Sequence, residues 1–132
     1  MFLLSIKNRA DFTRISKNNC KFYSKTILLL TKKSPEKYLY KPNSKQIINF
    51  CRVGYTVTKS CGNAVVRNKI KRRFRAAFNL LLKNQNQNQD RNNLINNHFD
   101  YVLIARKEAA SADFKIICQD LEFCLKGIKN KK

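Results

Sequence analysis

Arg67, Lys71 and Arg75 stand four residues apart, with Asn68 and Arg72 beside them. At 3.6 residues per turn, positions i, i+4 and i+8 stack into one row along a helix. A row of guanidinium and ammonium groups is suited to neutralising and hydrogen-bonding phosphate oxygens. Asn68 both donates and accepts, so it can bridge a phosphate or ribose and a neighbouring side chain. Lys69 and Arg73 lie on the opposite flank, where solvated or sheet-edge roles are as consistent as contact with a polyanion. The surrounding stretch, "GNAVVRNKIKRRFRAAF" at residues 62–78, has six Lys or Arg among seventeen residues and no acid.

The same stretch supplies the element that presents the row. Val66, Ile70, Phe74, Ala77, Phe78 and Leu81 share the other side at helical spacing, which predicts an amphipathic helix running to about Lys83. Asn63 is its candidate N-cap. Before it, residues 47–59 read as strand, with Cys51, Val53, Tyr55 and Val57 alternating with Arg52, Gly54, Thr56 and Thr58. Gly54 marks a bulge or a close backbone approach. Residues 27–31 and 100–107 are apolar runs of strand length. Residues 6–17 make a first helix. A last helix is capped by Ser111, with Asp113 in its first turn, and carries Phe114, Ile117, Cys118, Leu121, Cys124, Leu125 and Ile128 on one face. The expected order is α-β-β-α-β-α, with the second strand segment open to a split in two. That is an α+β or α/β sandwich of one sheet and helices, forming a single domain over residues 1–132. Flexible loops are expected at about 33–46 and 84–97, the latter an Asn/Gln tract that frays the helix end, and a basic tail at 126–132.

Charge narrows the function. The chain of 132 residues carries 28 Lys plus Arg against 8 Asp plus Glu, a formal +20. Between Glu36 and Asp90 there is no acid at all. Such an excess repels itself in the folded state and serves a polyanionic partner. A membrane surface is disfavoured, because the apolar face of the basic helix follows a strand and matches a sheet it can cover. DNA groove reading lacks a helix pair with a short turn. Rows of Arg and Lys suit the phosphates and shape of folded RNA.

A catalytic site of the chain's own is not expected. There is no paired-carboxylate pattern, no Ser/His/Asp set, no metal-ligand spacing and no phosphate-binding Gly loop. The single histidine, His98, sits in an Asn-rich loop and suits a surface or capping role. Cys20, Cys51, Cys61, Cys118 and Cys124 are odd in number and read as reduced thiols of a cytoplasmic protein, mostly small apolar fillers. The start, "MFLLSIKNRADF", has too short an apolar run for a signal core or a membrane span.

At "RVGYTVTKSCGNAVVRNKIKRRFRAAF", residues 52–78, the chain resembles the protein subunit of bacterial ribonuclease P. "DYVLIARK" at 100–107 and "ADF" at 10–12 match further family segments, leaving gaps at 33–46 and 84–97. The resemblance implies a fold like the second domain of ribosomal protein S5, with a left-handed β-α-β crossover against the usual right-handed preference. It implies a catalytic RNA that removes the 5′ leader of precursor tRNA using Mg²⁺ bound mainly by that RNA. The protein would bind the catalytic RNA through Lys59, Arg67, Asn68, Lys69, Lys71, Arg72 and Arg75. Phe12 would contact the leader in a cleft between sheet and first helix. Lys69 stands where the family has Arg, keeping charge but losing the planar fork. Ser16 and Leu30 stand where further cleft aromatics are usual, leaving Phe22 or Tyr23 to supply stacking. No protein or membrane partner is implied. The alternative is a stand-alone structured-RNA-binding or ribosomal protein with no role in cleavage.

Overall fold

Alternation in residues 50–56 produces a strand with two different faces, and the rest of the molecule is organised by that difference. The computed structural model describes residues 1–41, 43–88 and 93–130. In chain order these form β1 (Phe2–Ser5), α1 (Arg9–Lys17), β2 (Cys20–Tyr23), β3 (Ile27–Lys33), β4 (Phe50–Thr56), α2 (Ala64–Asn88), β5 (Phe99–Ala105) and α3 (Phe114–Asn130). Short 3-10 turns occupy Glu36–Tyr38, Lys59–Cys61 and Lys107–Ala110. The five strands make one sheet in the order β1-β4-β5-β3-β2. β4 pairs in parallel with both β1 and β5, so α2 is the crossover between two parallel neighbours. β3 runs antiparallel to β5 and β2.

One sheet face carries Cys51 and Val53 of β4, Tyr101 and Leu103 of β5, and Ile27 and Leu29 of β3. α2 and α3 cover it with Ile70, Phe74, Ala77 and Phe78, and with Ile117, Leu121, Cys124, Leu125 and Ile128. The opposite face is covered only in part. There α1 sets Ile15 over Leu30 and Val102, with Ile6 and half-buried Phe12 alongside. The cysteines are all free thiols, with Cys51, Cys61 and Cys124 in the main core. Burial pushes the Cys51 thiol up to about 12, so it stays protonated filler.

The expected α+β sandwich is present, with two additional edge strands. Residues 6–8 do not join α1. Ile6 N–H still donates to Val53 O at 2.9 Å, and Asn8 caps the helix by accepting from Ala10 N–H at 3.0 Å. The segment 47–59 holds strand only from Phe50 to Thr56, with Ile47 in an isolated bridge to Tyr40. α2 does not fray near Lys83. It continues to Asn88, and the Gln85 side chain clasps Ile95, donating to its O at 2.7 Å and accepting from its N–H at 2.9 Å. Residues 89–92 of the Asn/Gln tract lie outside the described residues. The loop at 33–46 holds the turn Glu36–Tyr38, and Pro42 lies outside the described residues. The tail is helical to Asn130, with 131–132 outside. Asp113, not Ser111, caps α3, accepting from Ile116 N–H at 3.0 Å. Ser111 instead donates to Glu108 O.

Gly62 turns the chain into α2 at φ +140°, a conformation that a Cβ would strain. Asn63 then accepts from Val66 N–H at 3.0 Å, the capping bond expected from sequence. Asn63→Ala is expected to lower stability by about 1 kcal/mol, the usual cost of a lost cap, in urea denaturation. An unchanged midpoint would show that the cap bond contributes nothing.

Candidate nucleic-acid interface

α2 buries Ile70, Phe74, Ala77, Phe78 and Leu82, and this fixes which side chains look outward. Asn68, Lys69, Arg72 and Arg75 are exposed, Arg67 and Lys71 half-buried, and Lys59 exposed on the turn leading into the helix. The predicted row is therefore a real flank of the molecule. Among the described residues, no carboxylate lies within ion-pair distance of these cations; the ion pairs are all elsewhere. Unpaired cations in this number are unfavourable alone and favourable against phosphates. The Arg67 Nε is enclosed with no acceptor among the described residues. The Arg75 guanidinium rests 5.7 Å from the centre of the Tyr55 ring. Burial holds the Tyr55 phenol above its ordinary value, with Arg75 opposing. Arg73 is used structurally: it donates to Ala112 O at 2.6 Å, tying α2 to the start of α3.

The second surface is the partly covered sheet face, and a buried ion cluster positions it. Asp100 of β5 is fully buried. Its carboxylate takes a two-point contact from Arg52 of β4, at 2.8 Å for both Nε and Nη2. Arg14 of α1 donates at 2.5 Å and Ser34 at 2.6 Å. Arg52 also lies 3.3 Å from Asp11 of α1, and the Tyr38 ring stacks 4.2 Å from its guanidinium. Two Arg and two Asp balance in charge, with the Asp100 oxygens satisfied by several donors. Burial opposes the charge on Arg52, but its carboxylate partners outweigh this and hold the guanidinium above its ordinary value. The cluster bolts α1 to the sheet. Sequence reasoning missed it, although an Asp inside an apolar strand run demands a cationic partner.

With α1 fixed, Phe12 lies on β4 at Gly54. A Cβ built on Gly54 would stand 2.6 Å from the Phe12 ring and 3.3 Å from Ile6. The glycine is thus a close approach, one of its two expected meanings. Phe12 is half-buried, with part of its surface toward the open side. Leu30 is buried beneath α1, while Ser16 is exposed and donates to Thr13 O at 2.8 Å. Of the two substitute aromatics, Phe22 lies on the wrong face, packed on Phe123 at 5.4 Å and against Gly127. Tyr23 lies on the open face, 65 % exposed. His98 is structural: its Nε2 and Ile48 O are 2.7 Å apart, at φ +65° beside Phe50.

Among the described residues there is no group of three His, Cys, Asp or Glu able to hold a metal. Asp11 and Asp100, the carboxylates nearest the open face, are already engaged by arginines, so they do not fit a resident Mg²⁺. No described helix is long and apolar enough to cross a membrane.

A cationic helix flank on one sheet-and-helix layer, and an aromatic-bearing sheet face on the other, define an RNA-binding α+β protein. A family model described as Ribonuclease P matches residues 3–129. The chain is 33 % identical to the ribonuclease P protein component of Rickettsia bellii over 134 residues, covering 100 % of this chain and 99 % of that one. It is 31 % identical over 124 residues to that of Caldanaerobacter subterraneus subsp. tengcongensis, covering 94 % and 88 %. The Staphylococcus aureus RNase P protein structure superposes with a TM-score of 0.67 at 30 % identity, covering 92 % of each chain. The Thermotoga maritima RNase P protein, at 24 % identity and a TM-score of 0.62, covers 89 % and 90 % and shares the fold. The chain belongs to the ribonuclease P family, as a protein component of the ribonucleoprotein that processes the 5′ end of tRNA.

Proposed function

We propose that the protein binds the catalytic RNA of ribonuclease P through the α2 flank and holds the 5′ leader of precursor tRNA on the partly covered sheet face, in the cytoplasm. The observation that carries this reading is the division of the surface. A row of cations without carboxylate partners lies along α2, while the open apolar and aromatic positions lie on the α1 side of the sheet. A folded RNA and a single strand can then bind at once. In this reading Lys59, Arg67, Asn68, Lys69, Lys71, Arg72 and Arg75 meet phosphates and riboses, which position the RNA without reading its sequence. Phe12 presents the open part of its ring to an unpaired leader base, for which stacking is sequence-tolerant. Cleavage belongs to the RNA, and Mg²⁺ to the RNA with it; no step runs through a metal held by the protein.

The test is cleavage of precursor tRNA at low Mg²⁺ by a bacterial ribonuclease P RNA, with and without the protein. The expected result is cleavage by the pair and none by nuclease-treated protein alone, since no residue set here can activate water. Cleavage by the pure protein would overturn the division of labour. RNA cleavage that ignores the protein would favour a stand-alone RNA-binding role.

A further inference from the structure

Three enclosed side-chain nitrogens or oxygens among the described residues have no hydrogen-bond partner: Arg14 Nε, Arg67 Nε and Tyr55 Oη. The Arg14 guanidinium is already engaged by Asp100 through its Nη2. The other two belong to α2 and to the strand beside it. Tyr55 follows Cys51 and Val53 on the β4 face that α2 covers, and its ring packs against the main core. A Phe would fill that space equally well, so the hydroxyl is the part that packing does not explain. An enclosed hydroxyl without a partner is unfavourable, and the cost is recovered when an acceptor arrives. The surroundings leave room for one to arrive. β1 ends at Ser5, opposite Val53, so Tyr55 has Leu103 of β5 as its paired neighbour on one side and no residue of β1 on the other. Over the ring lies the exposed Arg75, its guanidinium 5.7 Å from the ring centre and without a carboxylate partner among the described residues.

We propose that Tyr55 is a further RNA-contact residue, whose hydroxyl donates to a backbone phosphate of the catalytic RNA that Arg75 holds at the same time. The assignment rests on the α2 docking reading above and extends it from the helix to the strand beneath. Three features favour a phosphate as the occupant. The site needs an acceptor, and burial keeps the phenol protonated, so Oη has a hydrogen to give. A guanidinium beside it supplies the charge and the planar fork that suit phosphate oxygens. Arg75 also closes the row begun by Arg67 and Lys71, in which the enclosed Arg67 Nε lacks an acceptor too. The exposed Arg75 side chain turns from the ring to admit the phosphate, which then bridges the two groups. The strand thereby gives the helix row an uncharged contact, one that does not depend on displaced counterions.

The experiment measures affinity of the full chain for ribonuclease P RNA across a salt series, together with thermal melts of the free protein. The proteins are wild type, Tyr55→Phe, Arg75→Ala and the double variant. Tyr55→Phe is expected to weaken RNA binding roughly 10- to 150-fold, the range of a lost hydrogen bond to a charged group. The loss should be the same at every salt concentration, since no charge is removed, whereas Arg75→Ala should lower the salt slope by about 0.9. On the Arg75→Ala background Tyr55→Phe should cost less, because the two groups share one phosphate. Free Tyr55→Phe should melt at or above the wild-type temperature, having lost an unpartnered hydroxyl. The contact is overturned if Tyr55→Phe binds RNA as wild type does, or if it lowers the melting temperature of the free protein, which would give the hydroxyl a partner within the chain. Melts in phosphate and in chloride at equal ionic strength form a further arm. Stabilisation by inorganic phosphate that needs the Tyr55 hydroxyl, with RNA affinity unchanged, would make this a free-anion site and overturn the RNA assignment. If replacing Arg67, Arg72 and Arg75 together lowers the salt slope and Tyr55→Phe matches wild type, only the Tyr55 contact fails. If that triple variant keeps the slope, the docking reading has failed and the contact with it.

Discussion

Asp100→Asn is expected to cost about 3–5 kcal/mol of folding stability, the usual loss when one partner of a buried ion cluster is removed. The replacement has nearly the same shape, so the loss comes from the missing charge and from one acceptor oxygen exchanged for a donor amide. Arg52 is 4 % exposed and would keep its guanidinium in a site stripped of its two-point acceptor. Asp11, at 3.3 Å, offers only partial compensation, and Arg14 would lose its closest partner. For a chain of this size the melting temperature should fall by roughly 10–20 °C. Asp11→Asn should cost much less, because its contacts to Arg52 and Arg14 are longer and it is partly open to solvent. Thermal melts of the two variants side by side make the check. A loss below 1 kcal/mol for Asp100→Asn would mean that the cluster does not hold α1 to the sheet.

The second large effect concerns the α2 flank. Replacing Arg67, Arg72 and Arg75 together by Ala should lower the slope of log affinity for ribonuclease P RNA against log salt by roughly three. Each neutralised phosphate contributes up to about 0.9 on a duplex. Referred to 1 M salt, three such contacts amount to a loss of roughly 100-fold at 0.15 M. Stability should change little, since Arg72 and Arg75 are exposed and none of the three holds a carboxylate among the described residues. Lys126→Ala is the control: its ammonium pairs with Glu122 at 3.1 Å on α3, and the slope should stay as it was. An unchanged slope in the triple variant would show that the RNA docks elsewhere.

Long periodic segments were readable because burial on one face imposes the pattern directly. α2 and α3 show this, and so do the expected partners Ile70, Phe74 and Phe78. β1 and β2 were not readable. Each has four residues, and on a sheet edge pairing partners, not local alternation, decide whether such a segment is strand. The end of α2 was misjudged for a related reason: Gln85 and the backbone of Ile95 secure a tract whose composition alone suggests fraying. In the candidate interface, the basic row was legible from spacing, because a helix with a buried face has only one outward side. The Asp100 cluster was not, since it joins residues 11, 14, 34, 52 and 100 from separate segments. The choice between Phe22 and Tyr23 turned on strand parity within β2, which cannot be assigned before the strand itself is known.

The neutral cap of α2 has a kinetic consequence. A helix start carries a partial positive charge of its own, about half an elementary unit. An Asp at position 63 would cap equally well but would cancel part of that charge; Asn63 satisfies Val66 N–H and leaves it intact. Six cations follow within the next twelve residues, while the last turns, from Asn84 to Asn88, are uncharged. The helix is therefore a lopsided pole rather than an evenly charged rod. On the proposed docking through α2, such a pole would feel a torque as well as a pull in the field of a large polyanion, turning the Gly62 end toward the RNA so that fewer collisions are wasted.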